Sequence, residues 1–339
     1  MSSDTREKSK ADPKSDLRTG WGLVGPGHFA REFATELSRL DRARCVAVAS
    51  RNRDRATAFA NEFGFERAYG SYEELFADEE VEIVYVVVPH VFHAELSKQA
   101  IAAGKAVLCE KPLTPSLAES EDLVRFARER GVFMMEAMKT GFLPAIRRAA
   151  DWIREGRIGE PRLAKADFCF RGPSDPEGRL FNPDLAGGAV LDVGIYPLHI
   201  HRFLLGEVEE LSAFGHLAPT GVEDAAAFLT RHSSGAVGSS LCSISTEESM
   251  DATIHGTEAD LRLPNFHAGT RIGLFQDNRC VDQVVDDSGG MVKAEIEAAM
   301  DALAAGLTEC PGHRHEDSLV LARWMDEIRR QVGSTSVGD

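Results

Sequence analysis

A glycine-rich turn between an apolar run and a helical stretch restricts the possible folds of this chain more than any other feature. The apolar run covers residues 21–24, and residues 30–40 continue with apolar side chains at helical spacing. The first glycine of the turn can make a tight bend, the second lets the backbone approach a ligand closely, and the helix N-terminus favours an anion. This order of strand, turn and helix predicts the first unit of a dinucleotide-binding sheet. The residues expected around the cofactor's pyrophosphate are Gly25, Gly27, His28, Phe29 and Ala30.

Short apolar runs alternate with helical patterns from residue 21 to about residue 136, which predicts a parallel sheet with helices on both faces. The predicted strands are residues 22–24, 45–49, 83–88, 106–109 and 133–135. The predicted helices are residues 30–38, 55–63, 71–76, 92–103 and 117–130. A glycine directly follows the second, fourth and fifth of them, as is common at helix C-termini.

The pattern changes after residue 162, where successive runs separated by turn signals predict strands at residues 163–170, 226–232, 236–244 and 252–255. Helices are predicted at residues 194–205, 293–307 and 316–330, the last two closing this second sheet. The fold expected is α/β, with an N-terminal Rossmann doubly wound parallel sheet and a C-terminal α+β domain that has a large, mostly antiparallel open-faced sheet. The expected division is a disordered leader at 1–20, a cofactor domain at 21–139, a substrate-binding and oligomerisation domain at 140–333 and a disordered tail at 334–339.

Charge and composition exclude several classes of partner. The 339 residues carry 54 Asp and Glu against 38 Lys and Arg, a net charge of -16, which disfavours nucleic acid and anionic membranes as partners. The polar first twenty residues lack the apolar core of a signal peptide, and no apolar run reaches membrane-spanning length. Six scattered cysteines without ligand spacing predict reduced thiols and no metal. A cytoplasmic protein that acts on a small molecule is expected.

The end of the second predicted strand favours NADP, with NAD as the alternative. No Asp or Glu closes this strand, where an acidic side chain would bind the ribose hydroxyls of NAD. Instead Ser50 is followed by Arg51 and Arg55, whose guanidinium groups can hold a 2'-phosphate through charge-assisted hydrogen bonds. The competing interpretation is a solvated arginine face on a surface helix.

Lys111 is the first candidate for the chemistry. Glu110-Lys111-Pro112 follows the predicted strand at residues 106–109, so the lysine stands at the sheet edge where open α/β folds bind ligands. A cationic nicotinamide nearby would depress the ammonium pKa and make the lysine a proton shuttle. The alternative is an exposed lysine before a loop proline.

A second group of candidates lies in the segment of residues 187–206. Asp192, Tyr196 and His199 fall at i, i+4 and i+7, so one helical face can present all three. Tyr196 can exchange a proton through a depressed pKa, and Asp192 with His199 can orient substrate hydroxyls. Each also has a structural interpretation: a core tyrosine, a helix N-cap and a satisfied core histidine.

Several of these segments resemble the glucose-fructose oxidoreductase/inositol dehydrogenase (Gfo/Idh/MocA) family. The resemblance covers about residues 21–330 and rests mainly on the string at residues 103–112 and on residues 187–196. It implies that Lys111 contacts the reacting hydroxyl and that Tyr196 is the general acid/base. It also implies that Glu110, Pro89 and His93 line the cofactor, while His90 replaces an asparagine that is common in the family. With tyrosine rather than histidine at position 196, the chain is similar to one branch of this family. That branch contains dimeric dihydrodiol dehydrogenase, NADP-linked xylose dehydrogenases and glucose-fructose oxidoreductase.

Together the motifs and the resemblance predict an NADP-dependent dehydrogenase. Its expected reaction moves a hydride between nicotinamide C4 and a ring hydroxyl carbon of a pyranose, cyclic polyol or trans-dihydrodiol. The alternative is a non-catalytic NAD(P)-sensing protein on the same fold, which would need neither Lys111 nor Tyr196.

The predicted strands of the second domain carry apolar residues at both odd and even positions, so both faces of that sheet are expected to be covered. This pattern predicts a homodimer or homotetramer that packs through the sheet. A monomer whose terminal helices cover the sheet is the other interpretation.

Overall fold

The computed structural model describes residues 18–286 and 290–335. Most of the predicted leader and tail therefore lies outside the described residues, although Thr19 and Gly20 already belong to the first strand. No helix in the described ranges is both long enough and apolar enough to cross a membrane.

Six parallel strands form the first sheet, in the order β3-β2-β1-β4-β5-β6. This is the doubly wound order, in which ligands bind beyond the strand ends between β1 and β4. The strands are β1 (Thr19–Val24), β2 (Ala43–Ala49), β3 (Arg67–Tyr69), β4 (Ile83–Val86), β5 (Ala106–Glu110) and β6 (Met134–Ala137). The predicted parallel sheet is confirmed, with one addition: the three-residue edge strand β3 was too short to leave a periodic pattern.

Helices cover both faces of this sheet and enclose two apolar cores. They are α1 (His28–Leu37), α2 (Arg53–Phe63), α3 (Tyr72–Phe76), α4 (His93–Ala102) and α5 (Leu117–Arg130). Helices α2 and α5 end at Gly64 and Gly131 in the left-handed conformation, as glycine at those positions predicts.

The second sheet has nine strands and is mostly antiparallel. They are β7 (Pro161–Ala166), β8 (Phe168–Cys169), β9 (Val208–Leu217), β10 (Glu223–His232), β11 (Val237–Ser243), β12 (Ala252–Gly256), β13 (Asp260–Leu263), β14 (Arg271–Gln276) and β15 (Arg279–Val285). The parallel pairs in this sheet are those of β11 with β7 and with β8. The single strand predicted at residues 163–170 is interrupted at Asp167, whose carboxylate accepts a hydrogen bond from the Leu241 amide at 2.8 Å.

The remaining helices are α6 (Pro144–Arg154), α7 (Ile195–Leu205), α8 (Lys293–Ala304) and α9 (His315–Val332). A π-helical turn, Val190–Gly194, leads directly into α7. Helix α9 packs on β9 and contributes to the core of the second sheet.

Helix α8 corrects the expectation that both terminal helices close the second sheet. Its buried residues Ile296, Ala299 and Met300 belong to the core of the first sheet, beside α1. An amphipathic pattern identifies the buried face of a helix but not the surface that it covers. The division between the two domains at residue 139 stays a prediction. Helix α8, which follows that division in the chain, packs on the first sheet.

Candidate active site

A cavity of about 640 Å³ opens where the carboxyl ends of β4, β5 and β6 meet the π-helical turn and α7. Its lining combines apolar side chains with a few charged ones, as in ligand-binding sites generally. The lining residues are Gly27, His28, Phe29, Val87, Val88, Pro89, His90, His93, Glu110, Lys111, Lys139, Phe168, Phe170, Arg179, Leu185, Asp192, Val193, Tyr196, Met250 and His267.

The glycine turn borders this cavity with the geometry that a bound anion needs. Gly25 has φ +95°, and a side chain there would meet the Val87 carbonyl oxygen. A Cβ on Gly27 would find no atom nearer than 3.9 Å, so the space in front of it is open. No side chain caps α1 and its first turn has no acidic residue, which leaves the N-terminal amides available. Ala30, in contrast, is fully buried in the core and does not line the cavity.

Two arginines follow β2, and one of them contacts the glycine turn. Arg55 reaches the Pro26 carbonyl oxygen at 3.4 Å, and the Arg51 guanidinium lies 5.9 Å from the centre of the Phe92 ring. Neither forms an ion pair with an acidic side chain in the described residues. Ser50 is buried, and its hydroxyl accepts from the Asn52 amide at 3.2 Å, which stabilises the turn into α2.

Lys111 is held at the centre of the cavity wall. Its ammonium donates to the Asp192 carbonyl oxygen at 2.5 Å, lies 3.6 Å from the Asp192 carboxylate and sits 4.9 Å from the centre of the Tyr196 ring. The next residues are fixed from the other side, because the Leu113 amide donates to the buried Glu136 carboxylate at 2.7 Å. His93 contributes as well, with its ring nitrogens 2.9 Å from the carbonyl oxygens of Pro112 and Val88.

That use of both ring nitrogens changes the interpretation of His93. It was expected to line the cofactor, and it does border the cavity, but it is fully buried and has no ring nitrogen left for a ligand. It is better described as a positioning residue for the Lys111 segment. His90 faces the cavity with Nδ1 3.4 Å from the Ala186 carbonyl oxygen. Burial, then His93 and Lys111, lower its pKa to about 3, so it is neutral at neutral pH.

Asp192 bridges two cations across the cavity. Its carboxylate accepts from Arg179 at 2.8 Å in addition to facing Lys111. Burial alone would raise the pKa of Asp192, but Lys111 and Arg179 outweigh it and bring that pKa to about 2. Burial acts in the opposite sense on the ammonium of Lys111 and lowers its pKa, although Asp192 and Glu110 oppose the change. The N-cap alternative for Asp192 does not apply, because it lies inside the π-helical turn.

Tyr196 differs from its expected protonation behaviour. Burial, followed by the charges of Glu110 and Asp192, raises its pKa well above the ordinary value rather than depressing it. Its ring packs against Phe168 with the centroids 5.2 Å apart. The tyrosine hydroxyl therefore keeps its proton at neutral pH.

Glu110 lies below this group and bonds to another buried hydroxyl. The Tyr85 hydroxyl donates to its carboxylate at 2.5 Å, and burial raises the pKa of Glu110. The pair adds a polar contact at the end of β5, directly before Lys111.

His199 does not join the cavity, contrary to the expectation from i, i+4, i+7 spacing. It is buried beside Phe203 and His313, with ring centroids at 5.6 and 5.8 Å. Tyr196 and His199 are three residues apart within α7, so their side chains differ in direction by about 60° around the helix axis and His199 lies one turn beyond the cavity wall. Glu223 supports the π-helical turn by accepting from the Val190 amide at 3.0 Å.

Sequence reasoning missed several cavity residues. Arg179 and His267 come from irregular loops at residues 170–185 and 264–270, whose paths no periodicity defines. Lys139 had a usable signal: it closely follows β6 at the sheet edge that also carries Lys111. The described residues contain no cluster of three or more side chains suited to hold a metal ion.

Comparison with known families gives two matches that together cover most of the chain. Residues 19–138 match the oxidoreductase family with an NAD-binding Rossmann fold, and residues 146–262 match the GFO/IDH/MocA C-terminal domain. Trans-1,2-dihydrobenzene-1,2-diol dehydrogenase from Mus musculus is 35% identical over 325 residues, 93% of this chain and 97% of the relative. The enzyme of the same name from Homo sapiens is 33% identical over 326 residues, again 93% of this chain and 97% of the relative.

Solved structures resemble the whole molecule. KijD10, a 3-ketoreductase from Actinomadura kijaniata in complex with NADP and TDP-benzene, is 29% identical with a TM-score of 0.84, covering 93% of this chain and 98% of that one. Levoglucosan dehydrogenase in complex with NADH and L-sorbose has a TM-score of 0.84 over 93% of this chain and 96% of its own, but at 21% identity it supports the fold alone.

Proposed function

The chain belongs to the Gfo/Idh/MocA family of oxidoreductases, and from that premise we propose that it is an NADP-dependent dehydrogenase that acts on a ring hydroxyl of a cyclic diol, cyclic polyol or pyranose. The observation that carries the proposal is the meeting of Lys111, Asp192 and Tyr196 on one cavity wall beside the glycine turn. A sensor of cofactor binding would need no such group. The relatives are named as dihydrodiol dehydrogenases and the similar ketoreductase binds NADP, which agrees with this class of chemistry.

The proposed cofactor site fits NADP at both ends. Open space in front of Gly27 and uncapped amides of α1 suit a pyrophosphate. Arg51 and Arg55, without acidic partners in the described ranges, suit a 2'-phosphate, while no carboxylate closes β2 to favour NAD. A bound nicotinamide would supply the hydride acceptor at its C4.

The protein's own groups would manage the proton. In the oxidation direction, the C–H bond gives up its hydride while the O–H proton passes to Lys111 as the neutral amine, leaving a carbonyl group. The lowered pKa of Lys111 makes that neutral form accessible. Tyr196, with its raised pKa, would donate a hydrogen bond to the reacting oxygen. Asp192 would hold Lys111 in place and accept from a neighbouring hydroxyl. Reduction would use the same groups in reverse.

Replacement of Lys111 tests the proposed proton transfer. We expect Lys111→Met to lower single-turnover reduction of NADP by about 100- to 10,000-fold, because a positioned acid/base contributes that much. Stopped-flow absorbance of the reduced nicotinamide, with trans-dihydrodiols, aldoses and inositols as substrates, gives the rate. Lys98→Met is the matched control, since Lys98 pairs with Asp122 on the surface. An unchanged rate for the Lys111 variant would remove it from the chemistry.

Cofactor choice is tested by removing the two arginines. Arg51→Ala with Arg55→Ala should raise the dissociation constant of NADP by roughly 10-fold or more, since each hydrogen bond to a charged group contributes about 1.5 to 3 kcal/mol. The affinity for NAD, which lacks the 2'-phosphate, should change little. Titration calorimetry measures both, with Arg53→Ala as control because that side chain packs along Gly70. Equal affinities of the unmodified protein for the two cofactors would contradict the assignment.

The outer face of the second sheet supports a proposed homodimer or homotetramer. Phe214 is 81% exposed and faces Ala227, which in turn pairs with the exposed Leu241. Leu229 and Leu163, at 56% and 54% exposure, extend this apolar surface to neighbouring strands. Exposed apolar areas of this kind mark interfaces, and a twofold axis lets the same surface pack on itself.

Light scattering coupled to gel filtration tests the assembly. We expect a mass at least twice the 37.0 kDa of one chain at micromolar concentration. Phe214→Arg, which places a charge in the centre of the apolar face, should lower that mass, whereas Leu307→Arg at an exposed site off the sheet should not. A wild-type mass near that of one chain would defeat the proposal.

A further inference from the structure

Lys139 is a buried cation without an anionic partner. Its side chain lines the cavity although the residue is only 5% exposed. The contacts of its ammonium are weak ones: the Met291 sulfur at 3.7 Å and the face of the Phe29 ring at 5.0 Å. No carboxylate oxygen of the described residues lies within ion-pairing distance of it. Buried charges in proteins are paired, so an unpaired cation in a ligand cavity indicates that the ligand supplies the anion.

The acidic groups in the same region do not neutralise Lys139. Glu295 on α8 is the buried acid that senses its charge, but neither carboxyl oxygen of Glu295 has a hydrogen-bond partner in the part of the chain described. Burial raises the pKa of Glu295 well above its usual range, which favours its uncharged form. Glu110 bonds to Tyr85, and Asp192 is already shared between Lys111 and Arg179.

The position of Lys139 points to the substrate rather than to the cofactor's phosphates. Lys139 lines the same cavity as Lys111, Tyr196 and His267, where the reaction would occur. The anionic groups of the cofactor already have other proposed partners, which are Arg51 and Arg55 for the 2'-phosphate and the α1 amides for the pyrophosphate.

We propose that Lys139 determines specificity by pairing with a carboxylate of the substrate, so that this enzyme prefers acid derivatives of ring polyols, such as uronic acids, over the neutral compounds. The inference rests on the proposed dehydrogenase function and narrows its substrate class.

Matched pairs of substrates test the inference: D-glucuronate with D-glucose, D-galacturonate with D-galactose, and a carboxylated trans-cyclohexane-1,2-diol with its parent. We expect kcat/KM for NADP reduction to favour the acid of a pair by about 10-fold or more. Lys139→Met should reduce that ratio by roughly 30-fold or more, the effect of removing one partner of a buried charge pair. Lys139→Arg should retain a preference for the acid, and Lys98→Met should leave the ratio as in the wild type.

Three outcomes would overturn the inference. One is a wild-type ratio near one or in favour of the neutral compound. Another is an equal loss of kcat/KM for the acid and the neutral compound of each pair in the Lys139→Met variant. The third is a rise in the NADP dissociation constant of Lys139→Met that accounts for the whole effect, which would assign Lys139 to the cofactor.

Ligand binding separates this inference from the proposed function. If no member of the panel is oxidised, the dehydrogenase proposal fails for these compounds, but thermal unfolding with NADP present still tests Lys139. Greater stabilisation by D-glucuronate than by D-glucose in the wild type, lost in Lys139→Met and kept in Lys139→Arg, supports the carboxylate site. Equal stabilisation by the two sugars, or none by either, contradicts it.

Discussion

The contact between Lys111 and Asp192 is the interaction on which the arrangement of the site depends. Lys111 follows the last residue of β5 in the first sheet, and Asp192 belongs to the π-helical turn that packs with the core of the second. The 2.5 Å hydrogen bond between them, with the carboxylate at 3.6 Å, joins the parts of the cavity wall that come from the two sheets. Removing one member of a buried ion pair costs about 3 to 5 kcal/mol, so each part requires the other to be in place.

Burial then gives the three polar groups different protonation states. The pKa of Lys111 falls, that of Asp192 drops to about 2 under two neighbouring cations, and that of Tyr196 rises. A lysine that loses its proton more readily than usual, a carboxylate that stays ionised and a hydroxyl that keeps its proton therefore lie side by side. Separation of pKa values among neighbouring groups is how enzymes divide acid and base roles. The proposed roles of the lysine and the tyrosine follow from this difference.

The sequence predicted those parts of the molecule that local patterns determine. The glycine turn, the parallel sheet and the position of Lys111 at a strand end all follow from periodicity and turn chemistry, and the structure has them. The prediction for His199 was wrong because residue spacing cannot show which neighbours a helical side chain meets, and His199 packs beside Phe203 and His313. Arg179 and His267 depend on loop paths, and the docking of α8 on the first sheet depends on tertiary packing. In each of these cases the determining contact is between residues far apart in the chain.

The pH dependence of an Asp192→Asn variant tests the central claim most directly. If Lys111 accepts the proton, activity in the oxidation direction requires the neutral amine and rises with pH through the lysine's pKa. Asp192 opposes the effect of burial on that pKa, so loss of its charge should lower it further. The acidic limb of the kcat/KM profile should then move to lower pH relative to the wild type. An acidic limb that stays in place, or that moves to higher pH, would contradict the account.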